Sequence, residues 1–240
     1  MKAFIFAAGL GTRLKPWTDT MPKALVPYSG KPMLGHLADR LKDAGVDEIV
    51  VNVHHFAEQI VSYVRSEDDF GIKVQISDES DALLDTGGGL LHARAFLEGG
   101  TEPFIAHNVD ILSNLDIRAF YDSGTGDNAV AKLLVSDRDS SRKLLFDKDM
   151  RLVGWKNLKT GQTKGHPESA AFEYAFAGVH LLSPSIYGVF DSHPSFSGAF
   201  SIIDFYLAIC GSHAVYGYLQ NGLRVLDIGK PEALAMAGMF

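Results

Sequence analysis

The chain of 240 residues is 46% hydrophobic and 21% charged, with a formal charge of −7 at pH 7. This composition excludes a disordered chain or a fibre, and the acidic balance excludes a general nucleic-acid surface, which needs a basic face. No apolar run approaches the roughly 20 residues of a membrane-spanning helix, so we expect no membrane segment. The one cysteine, Cys210, lies in an apolar stretch, which predicts a buried thiol in a reducing, cytoplasmic setting.

The first half of the chain alternates predicted strands with predicted helices. Short apolar runs predict strands at 2–7, 48–53, 73–77 and 103–106. Apolar residues at helical spacing predict helices at 34–44, about 56–65 and about 90–97. Strands that alternate with helices of this length indicate βαβ units, a mainly parallel sheet and right-handed crossovers.

The second half of the chain has a different pattern. Short strands are predicted at 129–135, 143–146 and 152–155, separated by turn residues, and this favours antiparallel hairpins added to the sheet. The polar segment 158–169 contains glycines and a proline and is predicted to be a mobile loop. Neither an internal repeat nor a linker is evident, so we expect a single domain.

A glycine-rich segment follows the first predicted strand. Residues 7–14 read Ala-Ala-Gly-Leu-Gly-Thr-Arg-Leu, and Lys23 follows a little later. Glycines let the backbone turn sharply, and consecutive N–H groups in such a turn can cradle an anion. Arg13 and Lys23 would add charged donors for phosphate oxygens. Leu14 stands where a dinucleotide fingerprint has its third glycine, and no Walker A pattern occurs, so a plain tight turn stays an equal alternative.

Two aspartates are candidate metal ligands. Asp110 closely follows the predicted strand 103–106, at the end of a parallel strand where such sheets bind ligands. A carboxylate there suits Mg²⁺, although it could equally cap the next turn. Asp227 ends an apolar strand shortly before Pro231, which is expected to open a helix; the alternative is that Asp227 is only a helix-start residue.

Two further segments invite interpretation. Three glycines at 87–89 precede the predicted helix 90–97, which suggests that a base or ribose rests on the backbone, or else that the loop is flexible. His54 and His55 directly follow the predicted strand 48–53, and adjacent residues on a regular strand point to opposite faces, so both would rarely bind one ion. Histidines on the surface or lining the crevice are the better interpretation. Asn52 is the better candidate to face a ligand.

The motifs together resemble one family. Residues 7–14 with Pro16 and Thr18, residues 22–27 and the Asp-Ile-Gly-x-Pro-Glu at 227–232 resemble sugar-1-phosphate nucleotidyltransferases. The similarity is greatest to short members such as N-acetylmuramate-1-phosphate uridylyltransferases and mannose- or heptose-1-phosphate guanylyltransferases. It implies a Rossmann-like three-layer α/β/α sandwich with a mixed, mainly parallel sheet. The single domain, 1–240, would comprise a nucleotide-binding half, 1–125, and a sugar-phosphate-binding half, 126–240.

The resemblance also implies roles for particular residues. The catalytic residues would be Arg13, Lys23 and Asp110. The metal, Mg²⁺, would be held by Asp110 and Asp227. The nucleotide would be bound by Ala8, Gly9, Leu10, Gly11, Thr12, Arg13, Lys23, Gly87 and Gly88. The sugar phosphate would be bound by Asn108, Trp155, Lys156 and Gly178, and for the last three plain strand packing is the alternative. The family usually has glycine where this chain has Val109, a residue that resists a positive φ.

The implied reaction moves a nucleoside monophosphate from a nucleoside triphosphate, with UTP favoured, to a sugar 1-phosphate. The products are pyrophosphate and a nucleotide sugar, a precursor for cell walls or polysaccharides. Guanylyl transfer to mannose or heptose 1-phosphate and cytidylyl transfer to a non-sugar phosphate are the alternatives. A non-catalytic homologue would be expected to have lost Arg13, Lys23 or the acidic pair, and all four residues are present. The oligomeric state is not predicted.

Overall fold

The computed structural model describes residues 1–240, except for the side chain of residue 239. The strands are β1 (Lys2–Phe6), β2 (Pro27–Tyr28), β3 (Lys31–Pro32), β4 (Glu48–Val53), β5 (Lys73–Asp78), β6 (Phe104–Asn108), β7 (Ile111–Ser113), β8 (Ala129–Ser136), β9 (Arg142–Phe146), β10 (Leu152–Asn157), β11 (Thr163–Gly165), β12 (Phe172–Leu182), β13 (Ala214–Leu219) and β14 (Val225–Asp227). The α-helices are α1 (Met33–Asp43), α2 (Ala57–Ser66), α3 (Asp85–His92), α4 (Arg94–Leu97), α5 (Ile117–Asp122), α6 (Ile186–Asp191), α7 (Ile202–Ile209) and α8 (Pro231–Met236).

A mixed sheet forms the centre of the molecule. Its first part is parallel, in the order β5-β4-β1-β6, with Phe6 opposite both Asn52 and Asn108. The long strand β12 then pairs antiparallel with β6, β8 and β9, and β13 pairs parallel with β8. Strands β9, β10 and β11 form the expected antiparallel extension. The parallel first half and the hairpins of the second half are therefore confirmed.

Helices cover both faces of this sheet. Along β1, Ala3 and Ile5 point into one core with α1, α2 and α5, while Phe4 and Phe6 point into a second core with α3, α4, α6 and α7. Alternation along a strand sends successive side chains to opposite faces, so one buried strand serves two cores. The predicted three-layer α/β/α sandwich is confirmed.

Two local predictions were wrong. The helix predicted at about 90–97 begins at Asp85 as α3 and continues as α4, so the three glycines lie inside a helix. The loop predicted at 158–169 contains β11 and a short 3-10 helix, Pro167–Ser169. Its polar residues close a hairpin: the Asn157 N–H donates to the Gln162 carbonyl at 2.8 Å, and the Gly161 N–H donates to the Asn157 carbonyl at 2.8 Å.

Among the described residues there is no helix with the length and apolar character needed to cross a bilayer. The Cys210 thiol is buried, as predicted, and burial raises its pKa. A thiol with a raised pKa is mostly protonated at neutral pH, which fits a packing role.

Two histidines are fully buried in the sheet and should make stability depend on pH. Burial lowers the pKa of His107 from 6.5 to about 4 and that of His180 from 6.5 to about 3. The unfolded chain therefore binds protons between pH 6.5 and about 4 that the folded chain does not, and stability falls as the pH drops through this window. We expect a loss of about 2 kcal/mol per histidine between pH 7 and pH 5, measured by urea denaturation.

Matched variants separate this effect from general acid sensitivity. His180→Gln should remove roughly half of the pH-dependent loss. His166→Gln should leave the loss intact, because His166 is exposed. Equal unfolding free energies at pH 7 and pH 5 in the wild type would contradict the prediction.

Candidate active site

An open cleft of about 520 Å³ lies at the carboxyl ends of the parallel strands. Its walls come from the loop after β1, the ends of β4 and β6, the segment between β5 and α3, and the end of β14. The lining residues are Phe6, Ala8, Gly9, Arg13, Lys23, Asn52, Glu79, Leu83, Asp85, Thr86, Asn108, Asp110, Ile111, Ala199 and Asp227. The cleft is therefore where open α/β sheets place their ligands.

The glycine-rich loop folds closely onto the chain that carries Lys23. Gly11 has φ +64°, and a Cβ there would lie 2.8 Å from both Lys23 Cβ and Thr18 Cγ2. The Thr18 hydroxyl donates to the Gly11 carbonyl at 2.9 Å and holds this turn. Because Gly11 has no side chain, the turn can form and Lys23 can reach the cleft beside Ala8 and Gly9.

A buried amide anchors the start of this loop. Asn52 Oδ1 accepts the Ala7 N–H at 2.7 Å and the Ala8 N–H at 3.2 Å. Its Nδ2 donates to Glu79 Oε1 at 2.7 Å. Burial raises the pKa of Glu79, and hydrogen bonds from Asn52 and the Leu84 N–H act in the opposite direction. Asn52 faces the cleft as expected, but its hydrogen bonds go to the protein.

The two predicted metal-binding aspartates converge on the two predicted phosphate-binding cations. Asp110 is only 5% exposed, and its Oδ2 lies 2.6 Å from Lys23 Nζ and 3.9 Å from Arg13 Nη2. Arg13 Nη1 also lies 3.6 Å from Asp227 Oδ2. Four residues from three distant parts of the sequence thus form one charged cluster.

Pairing between β7 and β14 explains why the aspartates meet. These strands are antiparallel, with Asp227 opposite Ile111, the residue after Asp110. The Ile228 N–H donates to the Asp110 carbonyl at 2.9 Å and extends this pairing. Gly229 follows, and a Cβ there would lie 2.5 Å from Asp110 Oδ2 and 2.9 Å from Asp227 Oδ1. The carboxylates therefore approach across a residue that must lack a side chain.

Similarity to known proteins identifies the family. The family model described as nucleotidyl transferase matches residues 2–240. The chain belongs to this family. The N-acetylmuramate alpha-1-phosphate uridylyltransferase of Caulobacter vibrioides is 30% identical over 239 residues, covering 96% of this chain and 93% of its own length. Mannose-1-phosphate guanylyltransferase 1 of Arabidopsis thaliana is 28% identical over 233 residues, covering 97% of this chain and 62% of that protein.

A solved structure agrees with this assignment. HddC from Yersinia pseudotuberculosis, in complex with GMP-PN, is 25% identical and superposes with a TM-score of 0.74, covering 98% of this chain and 97% of that chain. The predicted family and fold are confirmed, and the protein is an enzyme of the nucleotidyltransferase class.

Most of the predicted phosphate-binding residues of this nucleotidyltransferase occupy the cleft or its rim. Ala8, Gly9, Arg13 and Lys23 line it. Leu10 and Thr12 stand beside it, Leu10 with an exposed side chain and Thr12 at the first position of a 3-10 helix, Thr12–Leu14. Gly11, between them, acts through the turn it permits.

Gly87 and Gly88 are placed differently from the prediction that they contact the nucleotide. Both are buried within α3, and both of their N–H groups point to the Phe200 carbonyl, at 2.8 Å and 3.4 Å. A Cβ on Gly87 would collide with the Phe200 ring, and one on Gly88 would collide with the Gly198 carbonyl. The room that these glycines leave is filled by residues 198–200, and neither glycine lines the cleft.

The predicted sugar-phosphate residues are only partly brought together. Asn108 lines the cleft at the end of β6. Gly178, with φ +75°, packs behind it, because a Cβ there would lie 3.1 Å from Asn108 Nδ2. Trp155 and Lys156 do not line the cleft: Lys164 Nζ lies 5.5 Å from the centre of the Trp155 ring, and Lys156 pairs with Glu173.

Val109 leaves the backbone near Asp110 unstrained. It is buried, it does not have a positive φ, and its N–H donates to the Phe6 carbonyl at 3.3 Å. Glycine is therefore not required for the conformation at this position. The departure from the family pattern is compatible with the observed cluster.

The cleft offers two carboxylates that fit a hard divalent cation, those of Asp110 and Asp227. Across the side chains that the structure describes, no group of three or more His, Cys, Asp and Glu residues is arranged to hold a metal. Mg²⁺ commonly takes one or two carboxylates and completes its shell with water and substrate phosphates, so this donor set fits it. The lining carries more acids than bases: Glu79, Asp85, Asp110 and Asp227 against Arg13 and Lys23.

Sequence reasoning missed several lining residues. Leu83 and Ala199 were not predicted, and neither was Glu79, which lies immediately after β5. Asn52 lies near the same edge, at the end of β4, so a polar residue at the carboxyl end of a parallel strand was a usable signal. Ala199 carried no signal, because it reaches the cleft only through the packing of residues 198–200 on α3.

Proposed function

We propose that this nucleotidyltransferase transfers a nucleoside monophosphate from a nucleoside triphosphate, UTP in preference, to a sugar 1-phosphate. The observation that carries the proposal is the cluster of Arg13, Lys23, Asp110 and Asp227 in one cleft beside the glycine-rich loop. A phosphate oxygen of the sugar 1-phosphate attacks the α-phosphorus. The bond from that phosphorus to the bridging oxygen breaks, and pyrophosphate leaves with the electron pair.

The chain's own residues supply alignment and positive charge. The sugar phosphate is anionic at neutral pH, so its oxygen needs no general base. Lys23 Nζ is held beside Asp110 and in reach of the loop at Gly9, where it would stabilise charge at the α-phosphate. Arg13, which is half-exposed at the rim, would bind the departing pyrophosphate. Positioning and charge neutralisation together account for catalysis in this type of transfer.

A divalent cation, Mg²⁺, is part of the proposal. The excess of carboxylates in the cleft would repel a triphosphate, and Asp110 and Asp227 would hold a cation that offsets this repulsion. When bound, Mg²⁺ would neutralise phosphate charge during the transfer. Lys23 and Arg13 already contact these carboxylates, and this supports the view that the two carboxylates form a site that attracts cations.

Pyrophosphate release tests the proposal. The purified protein is incubated with Mg²⁺, each of UTP, GTP, CTP and dTTP, and a panel of sugar 1-phosphates that includes N-acetylmuramate, mannose and glucose 1-phosphates. We expect release that requires both substrates and is fastest with UTP. No release with any pair would contradict the proposed function.

Guanylyl transfer is the second candidate. It is supported by the Arabidopsis mannose-1-phosphate guanylyltransferase and by the HddC structure with GMP-PN. We rank UTP before GTP because the uridylyltransferase of Caulobacter vibrioides matches over nearly the full length of both chains. A higher kcat/KM for GTP than for UTP in the same panel would decide for the second candidate.

A further inference from the structure

Asn52 and Glu79 form a buried pair between the glycine-rich loop and the segment that leads into α3. Each is 3% exposed, although both line the cleft. Asn52 ends the pairing of β4 with β1, where Phe6 is its partner. Beyond Phe6 the strand ladder stops, and the Asn52 side chain provides the acceptor for the next two N–H groups, those of Ala7 and Ala8.

Glu79 determines which end of the Asn52 amide faces the loop. Asn52 Nδ2 donates to Glu79 Oε1 at 2.7 Å, and a carboxylate oxygen can only accept. The amide oxygen is therefore left to accept from Ala7 and Ala8. With the amide reversed, its NH₂ group would face two N–H donors, and all of these groups would be buried without partners.

The protein holds Glu79 in place from several sides. Its N–H donates to the Val53 carbonyl at 2.8 Å, and His54 Nδ1–H donates to its carbonyl at 2.7 Å. The Leu84 N–H reaches its second carboxyl oxygen at 3.4 Å. These contacts fix the Glu79 backbone beside the end of β4 and hold one carboxyl oxygen, while the other accepts from Asn52.

Gly89 makes room for the pair. A Cβ at this position would lie 2.6 Å from Glu79 Oε1 and 2.9 Å from Asn52 Nδ2. Glycine inside a helix costs stability relative to alanine, so its use here reflects the space that the pair needs.

We propose that Glu79 is a positioning residue, which acts through Asn52 on the N–H groups of Ala7 and Ala8 and so sets the conformation of the glycine-rich loop. The inference deepens the proposed function, on which its kinetic part rests. Glu79 then serves catalysis through its oxygen as an acceptor, and its negative charge is not required. A Glu79 that contacts the nucleobase directly is the competing explanation.

Amide hydrogen exchange tests the positioning without any assay of activity. Exchange at Ala7 and Ala8 should be at least about 10-fold faster in Glu79→Leu and Asn52→Leu than in the wild type, while Ala3 and Ile5 keep their rates. Glu79→Gln should keep the wild-type rates, because the glutamine Oε1 still accepts from Asn52 and only the long 3.4 Å contact from the Leu84 N–H is lost. Unchanged exchange at Ala7 and Ala8 in Glu79→Leu would overturn the proposal.

Kinetics distinguish positioning from direct contact with the base. We expect Glu79→Leu and Asn52→Leu each to lower kcat by about 10- to 100-fold with little change in the KM for UTP, whereas loss of a direct contact with the base would raise the KM for UTP. The double variant should be no worse than either single variant, because both break one network. Glu79→Gln should stay within about threefold of the wild type. A Glu79→Gln variant as impaired as Glu79→Leu, or additive effects in the double variant, would overturn the proposal.

A pair of glycine variants keeps the test decisive if the leucine variants do not fold. Gly89→Ala pushes Asn52 and Glu79 apart while leaving both in the chain, and we expect it to reproduce the faster exchange at Ala7 and Ala8. Gly188→Ala is the control, because Gly188 also lies in a helix, α6, and a Cβ there meets nothing within 4 Å. Wild-type exchange in Gly89→Ala would overturn the proposal. If the variants show the faster exchange at Ala7 and Ala8 but the wild type releases no pyrophosphate, the proposed function is contradicted and the positioning role is not.

Discussion

Asp110→Asn should lower kcat by at least about 10²-fold while the protein stays folded. Asparagine has nearly the same shape, so it fits the buried site at the end of β6. It removes the negative charge that Lys23 and Arg13 share at 2.6 Å and 3.9 Å. It also removes one of the two carboxylates proposed for the divalent cation. A steady-state assay of pyrophosphate release, with circular dichroism for the fold, measures both effects.

Asp122→Asn is the matched control for the loss of an aspartate paired with a cation. Asp122 pairs with Arg118 one turn away on α5, and both side chains are exposed. Exposed pairs of this kind contribute about 0–1 kcal/mol, so turnover should not change. Near-normal turnover of Asp110→Asn at the lowest Mg²⁺ concentration that saturates the wild type would refute the metal-site assignment. Recovery of turnover at high Mg²⁺ would show that the cation binds but is held more weakly.

The parallel half of the fold could be predicted because its signals are local. Strands such as β1 and β4 are short apolar runs, and α1 carries its apolar residues at helical spacing. The start of α3 was missed for a tertiary reason. Three consecutive glycines disfavour a helix on propensity, yet Gly87, Gly88 and Gly89 each lie against another segment that needs the space. Helix propensity describes only the residues of the helix itself, so it carries no information about their contacts with other segments.

The charged cluster could be predicted only through family resemblance. Arg13, Lys23, Asp110 and Asp227 lie up to more than two hundred positions apart, and no spacing rule connects them. What joins Asp110 to Asp227 is the pairing of β7 with β14, two three-residue strands with little sequence signal. The hydrogen bond between Asn52 and Glu79 is hidden for the same reason, since the two residues lie at the ends of neighbouring strands that pairing brings together. Long-range pairing is therefore the information that the sequence pattern lacked.

Gly229→Ala should impair turnover about as severely as the loss of a catalytic contact, about 10²-fold, with little loss of stability. A Cβ at residue 229 would lie 2.5 Å from Asp110 Oδ2, 2.8 Å from Arg13 Nη2 and 2.9 Å from Asp227 Oδ1. Each of these atoms is the end of a flexible side chain, so the side chains move and the backbone does not. One added methyl group thus displaces both proposed metal ligands, Asp110 and Asp227, and the Arg13 guanidinium that contacts them.

Measuring both kcat and the melting temperature separates a role of Gly229 in the active site from a role in folding. Gly211→Ala is the control, because a Cβ on Gly211 meets nothing within 4 Å, and its turnover should equal that of the wild type. Gly229→Ala should melt within a few degrees of the wild type, whereas its kcat falls. A variant with full turnover would show that the two carboxylates need not approach each other across residue 229. A variant that loses stability and turnover in proportion would place the role of Gly229 in folding, since a displaced catalytic cluster alone leaves the two cores of the sandwich intact.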